Sequence, residues 1–408
     1  MKLLWIGDAV SHTGFARVTH NVLERLRHDW EVLCLGINYH GDPHTYPYPI
    51  YPARVSPNQD MWGINRFEQM YEYLKPDVIL ILNDPWVVEK FIGVPGFEKV
   101  RKRCPIVAYM PVDGMNMHNG TAEALNKLSL AIWYTHFGKS VAEVAGYTES
   151  SIIIPHGVNR ELYKGMDKNE ARRRQNFGKE LVKDAYIVGN VNRNAPRKRL
   201  DLTVRYFARW IKEEKIDNAY LYLHCAQQDI GWDLEQLAWY FAMPPGRFIV
   251  PSSNITSTVG LFETGMPIVY SSFDLQISTT MGEGWGLTTM EGMSCGIPQV
   301  VPDFAALGEW PRTGVRYVKC DRPDATAGNL NTLCAAPNED EFVTTLARLY
   351  NMPEEREDLR NAALRLVSNP KYTWDAVAKQ FHDALLGIAS MGYWPKALSQ
   401  HRVKANAH

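Results

Sequence analysis

EGWGLTTMEGMSCG, residues 283–296, places two glutamates eight positions apart around a Gly-Trp-Gly turn. Gly284 and Gly286 permit close backbone approach and unusual dihedral angles. Leu287, Thr288 and Thr289 stand where a helix of small residues begins. A helix start offers unpaired N–H groups and partial positive charge, a natural seat for a diphosphate. Glu283 precedes the turn, and Glu291 falls roughly one turn into the helix. Carboxylates are repelled by phosphate but accept strongly from hydroxyls. A nucleotide sugar carries hydroxyls on both sides of its diphosphate, the sugar on one and the ribose on the other. It would occupy both glutamates. A solvated helix position is the plain alternative for Glu291.

Apolar runs typical of strands alternate with helical patterns on either side of this stretch. In the first half the expected strands are Leu3–Ile6, Glu31–Leu35, Val78–Leu82, Ile106–Met110, Ala131–Tyr134 and Ser151–Ile154. Near-continuous apolar runs of this kind suit parallel strands buried on both faces. The rhythm restarts at Tyr186–Val191 and continues through Ala219–His224, Phe248–Val250, Ile268–Tyr270, Gln299–Val301 and Val315–Val318. The fold class is therefore α/β, with two Rossmann-like doubly wound domains in series and a cleft between them. The polar stretch from Tyr163 to Asn176 reads as the linker. Domain limits of 1–165 and 166–375 follow, with 376–408 as a C-terminal helix and tail. The long segment Asn38–Trp62, rich in proline and tyrosine, reads either as a cover on the first sheet or as an acceptor-binding wall.

GNVNRNAPRKRLDL (189–202) puts Arg193 and Lys198 after a strand's carboxyl end, where ligands of open α/β sheets bind. Arg197 and Arg199 read as a solvated basic loop. SHTGFARVTHNVL (11–23) repeats the strand–turn–helix geometry around Gly14 in the other domain. Other patterns fail on inspection. GEGWG lacks the last glycine of a dinucleotide fingerprint, and FGKS at 137–140 lacks the upstream glycine of a P-loop. No histidine spacing suits a metal, and there is no Asp-x-Asp pair to clamp a diphosphate through one. No metal or cofactor is expected. Charge compensation then falls to Arg, Lys and helix ends.

Composition narrows the class. The chain has 408 residues, 45% hydrophobic and 22% charged, with a formal net charge of −1. Such a balance gives no overall pull toward nucleic acid or anionic membrane. Six scattered cysteines without a C-x-x-C pair suit reduced thiols and a cytoplasmic location. No apolar run is long enough to span a membrane.

Together these motifs resemble family 4 glycosyltransferases, enzymes of GT-B fold that retain anomeric configuration. The resemblance rests on the two glutamates of EGWGLTTMEGMSCGIPQVVPD (283–303), with TGFARVT (13–19), IPHGVNRELY (154–163) and NRNAPRKR (192–199). It implies that Glu283 binds sugar hydroxyls and Glu291 the ribose. Arg193 and Lys198 would clamp the diphosphate, and Gly14 would approach it from the N-terminal, acceptor domain. The amides of Gly284, Trp285, Gly286 and Leu287 would line the sugar, and the final helix would cross back onto the N-terminal domain. Where many members carry a histidine, this chain reads IVAYMPVDG (106–114). Asp113 replaces that histidine, belongs to acceptor binding, or is a turn aspartate before Gly114. The implied activity is sugar transfer from a nucleoside diphosphate donor, UDP-sugar favoured, to a hydroxyl acceptor. LLWIGDAVSHTGFARVT is similar to phage-encoded members, which adds a hydroxymethylated DNA base to glycan, protein or lipid-head acceptors. Arg172–Arg174 with Lys179 would then supply a basic strip for phosphates. A sugar-nucleotide epimerase and a non-catalytic nucleotide-sugar-binding protein of the same architecture are the competing readings.

Overall fold

The structure is a computed structural model that describes residues 1–54, 56, 60–178, 181, 183–251, 261, 263–326 and 332–390. The chain divides into two compact units. The first comprises Met1–Val112, Met117–His156 and the chain from Trp374; the second comprises Asp113–Asn116 and Gly157–Thr373.

In the first unit the elements are β1 (Lys2–Asp8), α1 (Gly14–Leu26), β2 (Glu31–Ile37), β3 (Ile50–Pro52), α2 (Phe67–Leu74), β4 (Val78–Leu82), α3 (Pro85–Ile92), α4 (Pro95–Arg101), β5 (Ile106–Met110), α5 (Asn119–Leu125), β6 (Leu130–Trp133), α6 (His136–Val144) and β7 (Ser151–Ile153). The strands form one parallel sheet ordered β3-β2-β1-β4-β5-β6-β7. β4 reads VILIL and is buried at every position, as a parallel strand covered on both faces must be. One face carries Leu4, Ile6, Ile79, Ile81 and Ala108 against Phe67, Phe91 and Phe97. Alternation along the strands sends Trp5 and Tyr109 to the other face. There the chain's last described helix covers them, with Phe381 4.9 Å from the Tyr109 ring and 5.9 Å from Trp5. The final helix thus returns to the first sheet, where Asp375 pairs with Arg25 of α1.

The second unit holds α7 (Lys168–Arg174), β8 (Tyr186–Asn190), α8 (Leu200–Glu213), β9 (Ala219–Leu223), α9 (Leu234–Tyr240), β10 (Phe248–Ile249), α10 (Met266–Ser271), β11 (Leu275–Ile277), α11 (Leu287–Ser294), β12 (Gln299–Pro302), β13 (Val315–Val318), β14 (Cys320–Ala325), β15 (Leu333–Pro337), α12 (Glu339–Asn351) and α13 (Pro353–Val367); α14 (Trp374–Ser390) is the helix that returns to the first unit. Six strands run parallel in the order β10-β9-β8-β11-β12-β13, and β14 and β15 pair as an antiparallel hairpin. Strand order reverses between β8 and β11, so the crevice outside their carboxyl ends is where a doubly wound sheet takes its ligand. The loops that leave those two ends carry Arg193 and Lys198 on one side and Glu283 on the other.

Three expectations are corrected. Ile268–Tyr270 is not a strand but part of α10, with Pro267 in its first turn; the strand is Leu275–Ile277. A three-residue apolar run does not distinguish the two states. The stretch from Tyr163 to Asn176 is no plain linker, because Asp167 caps α7 within it, accepting from Glu170 N at 2.9 Å. Nor is Arg172 part of a basic strip. Its side chain is 0% exposed, bonded to Asp274 Oδ2 at 2.6 Å and to the carbonyls of Ser272, Ala185 and Leu181. Arg173 and Arg174 share the single carboxylate of Glu170, and Lys179 lies outside the described residues.

Asp274 also accepts from Ile187 N at 2.7 Å, which ties α7 to the edge of β8. Asp274→Ala leaves the Arg172 charge buried and is expected to cost about 3–5 kcal/mol. Urea unfolding reads the loss directly; a midpoint equal to that of the unsubstituted chain would refute this anchoring role.

Candidate functional site

β8 ends at Asn190, and the loop 191–199 that follows is fastened from beneath. Asn190 Nδ2 donates to Thr203 Oγ1 at 2.8 Å, and Thr203 Oγ1 lies 2.6 Å from Thr279 Oγ1. Thr279 Oγ1 reaches the carbonyl of Arg199 at 2.8 Å, and Met281 N donates to the carbonyl of Arg197 at 2.9 Å. Asn194, fully buried, donates to the carbonyls of Trp232 and Gln227. Arg199 takes the left-handed conformation (φ 49°) that ends a short turn at Pro196–Lys198 and admits α8. Loop 191–199 and the loop after β11 are therefore one fastened body.

That fastening sets Lys198 against Glu283. Their side chains are only 15% and 11% exposed and form an ion pair. Arg197 joins it: Nη1 lies 3.5 Å from Glu283 Oε2 and donates to the Gly282 carbonyl, while Nε lies 3.1 Å from Asp113 Oδ2. Burial pushes the Glu283 carboxyl up, but Lys198 and Arg197 together outweigh it and hold it below its ordinary range. Burial pulls the Lys198 ammonium down, against the attraction of Glu283. Asp113 comes close because Gly282 has no side chain: a Cβ there would meet the Asp113 carbonyl at 1.8 Å.

The turn itself reads as its glycines require. Gly286 adopts φ 94° and caps α11, and no side chain caps that helix. Gly284, Leu287 and Thr288 are half-buried. Trp285 is the wedge beneath the turn, stacked on Trp310 at 4.9 Å, with its carbonyl accepting from Trp310 Nε1 at 2.7 Å. Glu291 is buried, and Tyr270 OH donates to its Oε2 at 2.7 Å. Gly292 lets α11 lie on the sheet, since a Cβ there would sit 2.0 Å from Gln276 Oε1.

Arg193 and Gly14 are the remaining sequence-derived residues. Arg193 is 58% exposed, and both arms of its fork go to Asp229, at 2.7 and 2.8 Å. The hydrogen bond from Arg193 holds the Asp229 carboxyl below its ordinary value. Gly14 begins α1 in the first unit, beside the cap Thr13, which accepts from Ala16 N at 3.0 Å and donates to Asp8 Oδ2 at 2.6 Å. Sequence reasoning passed over Arg197, which shares the NRNAPRKR motif but reads there as solvated. It also passed over Asp229, separated from Arg193 by the helix α8 and the strand β9. Among the described residues no group of three His, Cys, Asp or Glu side chains is placed to hold a metal ion, and no helix is long and apolar enough to cross a membrane.

No family model matches the chain, and no curated protein matches its sequence. Solved structures do. Sucrose-phosphate synthase from Thermosynechococcus elongatus superposes with a TM-score of 0.74 at 14% identity, covering 96% of this chain and 100% of that one. HepE of Anabaena, in complex with UDP and glucose, gives 0.70 at 17%, covering 95% and 100%. WaaG, a glycosyltransferase involved in lipopolysaccharide biosynthesis, gives 0.69 at 11%, again 95% and 100%. The fold is GT-B. At these identities the likeness speaks for architecture and leaves the chemistry to the side chains.

The Glu283 carboxyl, held below its usual 4.5 in the folded chain, contributes stability that is in place above that value. It is lost as pH falls through the lower folded value. The stability gap between the native chain and Glu283→Gln, measured in urea, is expected to shrink on acidification from about pH 6 to about pH 3. A gap independent of pH would mean that the ion pair does not form.

Proposed function

We propose that the chain is a retaining glycosyltransferase of the family 4 type, moving a sugar from a nucleoside diphosphate donor, UDP-sugar favoured, to a hydroxyl acceptor. The observation that carries this reading is the placement of Lys198 and Glu283 side by side at the switch point of the second sheet, next to the uncapped start of α11. On this reading Lys198 and the first amides of α11 receive the diphosphate, and Arg193 extends the cationic side. Glu283 turns to the hydroxyls of the transferred sugar, and Glu291, steadied by Tyr270, takes the ribose. Negative charge develops on the leaving phosphate in the transition state, and fixed cations in a half-dry site stabilise it without reorganisation. Solved neighbours that carry UDP and glucose, or UDP-glucose, support the choice of donor. The first unit is assigned the acceptor, and the reaction is assigned to the cytoplasm. Burial of Arg172 and the pairing of Arg173 and Arg174 with Glu170, which leaves one net positive charge among those two, weigh against a nucleic-acid acceptor held by that strip.

A donor-hydrolysis screen over nucleotide sugars, followed by mass spectrometry of candidate acceptors and NMR of the product anomer, tests the reading. Inversion at the anomeric carbon would remove the retaining assignment, and interconversion of the donor without transfer would favour an epimerase. Lys198→Ala is expected to lower turnover about 100- to 1000-fold in a chain that still folds, with a lowered melting temperature because the buried Glu283 carboxylate loses its nearest cation. Turnover near that of the unsubstituted chain would discard the diphosphate role of Lys198.

A further inference from the structure

Arg197 belongs to the same loop as Lys198 yet faces a different task. Its guanidinium stands between two carboxylates, Nε at 3.1 Å from Asp113 Oδ2 and Nη1 at 3.5 Å from Glu283 Oε2. Its own backbone is fixed, the carbonyl accepting from Met281 N at 2.9 Å. Asp113 is fixed as firmly: its carbonyl accepts from Cys334 Sγ at 3.4 Å, and Met115 N donates to the Leu333 carbonyl at 2.7 Å. Asp113 keeps a side chain 30% exposed, and an ionised carboxylate has about four acceptor sites, of which one arginine contact uses one. A planar guanidinium fixes the mutual orientation of two carboxylates in a way that a point-charge ammonium does not.

We propose that Arg197 is the positioning residue that holds Asp113 and Glu283 as a pair of hydroxyl acceptors for one neutral sugar; this rests on the glycosyltransferase reading above. With Lys198 given to the diphosphate, one positive charge remains beside two negative ones. The face so formed accepts hydroxyl protons and repels a sugar that carries its own carboxylate. The pair therefore selects an uncharged polyol ring over a uronic acid.

Calorimetry of the full chain with UDP, UDP-glucose and UDP-glucuronate, with the GDP and ADP pairs run alongside, tests the proposal on Arg197→Gln, Arg197→Lys, Asp113→Asn and the Arg197→Gln/Asp113→Asn double variant. UDP affinity is expected to stay within about twofold, while the affinity added by the glucosyl group falls about tenfold in Arg197→Gln and in Asp113→Asn. The double variant should lose no more than either single one, and lysine should restore the increment only in part. The preference for UDP-glucose over UDP-glucuronate should narrow in Asp113→Asn. Equal losses for UDP and UDP-glucose, additive losses in the double variant, or an unchanged glucosyl increment would overturn the positioning role. An unsubstituted chain that binds no nucleoside diphosphate at all removes the functional reading itself, and the positioning role with it.

Discussion

The ladder of buried hydrogen bonds running from Asn190 through Thr203 to Thr279, and on to the carbonyl of Arg199, determines where everything else in the site stands. Each bond is worth on the order of 1 kcal/mol net, but a buried polar group left unpaired costs about 1–3 kcal/mol. The ladder therefore acts more as a specification than as a store of stability. With the ladder in place, Pro196–Lys198 forms its turn, Arg199 adopts the left-handed conformation, and Lys198 and Arg197 stand on the side where Glu283 arrives from the neighbouring strand.

The same ladder explains why glycines cluster on the opposing loop. Gly282 passes against the Asp113 carbonyl, Gly286 turns the chain at positive φ into α11, and Gly292 seats that helix on Gln276. Each is a point where a Cβ would push one element off another. Trp285 then fills the space beneath the turn against Trp310, so the backbone amides above it are supported by packing rather than by a capping side chain.

The α/β class and the alternation of elements were legible because parallel strands covered on both faces leave long apolar runs, as in Val78–Leu82 and Ile106–Met110. The short strand Ile50–Pro52, inside the proline-rich segment, and the misassigned Ile268–Tyr270 were not. Runs of three residues carry no period, and tertiary context decides them. In the site, the sequence put Lys198 after the carboxyl end of a strand, but the strand that delivers Glu283, Leu275–Ile277, was missed, so the pairing of the two did not follow. The pairing of Arg193 with Asp229 and the burial of Arg172 did not follow either. Both depend on which carboxylate the fold brings near, and a cation's residue type says nothing about that. Arg197 was misread for the same reason: in NRNAPRKR three cations crowd one turn, and only the φ of Arg199 and the anchoring of the Arg197 carbonyl decide which of them faces inward.

Two buried ion pairs in the second unit illustrate the difference between a charge that holds structure and one that is available for chemistry. Arg172 meets Asp274 and three carbonyls, so its donors are spent on the frame, and it sits between α7 and the start of β8. Lys198 meets Glu283 at the opposite end of the same strand, where the sheet order reverses. Taking such a pair out of water is seldom a gain over apolar side chains of equal volume. A frame can justify that cost by fixing one helix to one strand. At the switch point no helix needs fixing, because the threonine ladder already does so. What the Lys198–Glu283–Arg197–Asp113 group adds there is a set of oriented charges beside an uncapped helix start, which a purely structural account leaves without a purpose.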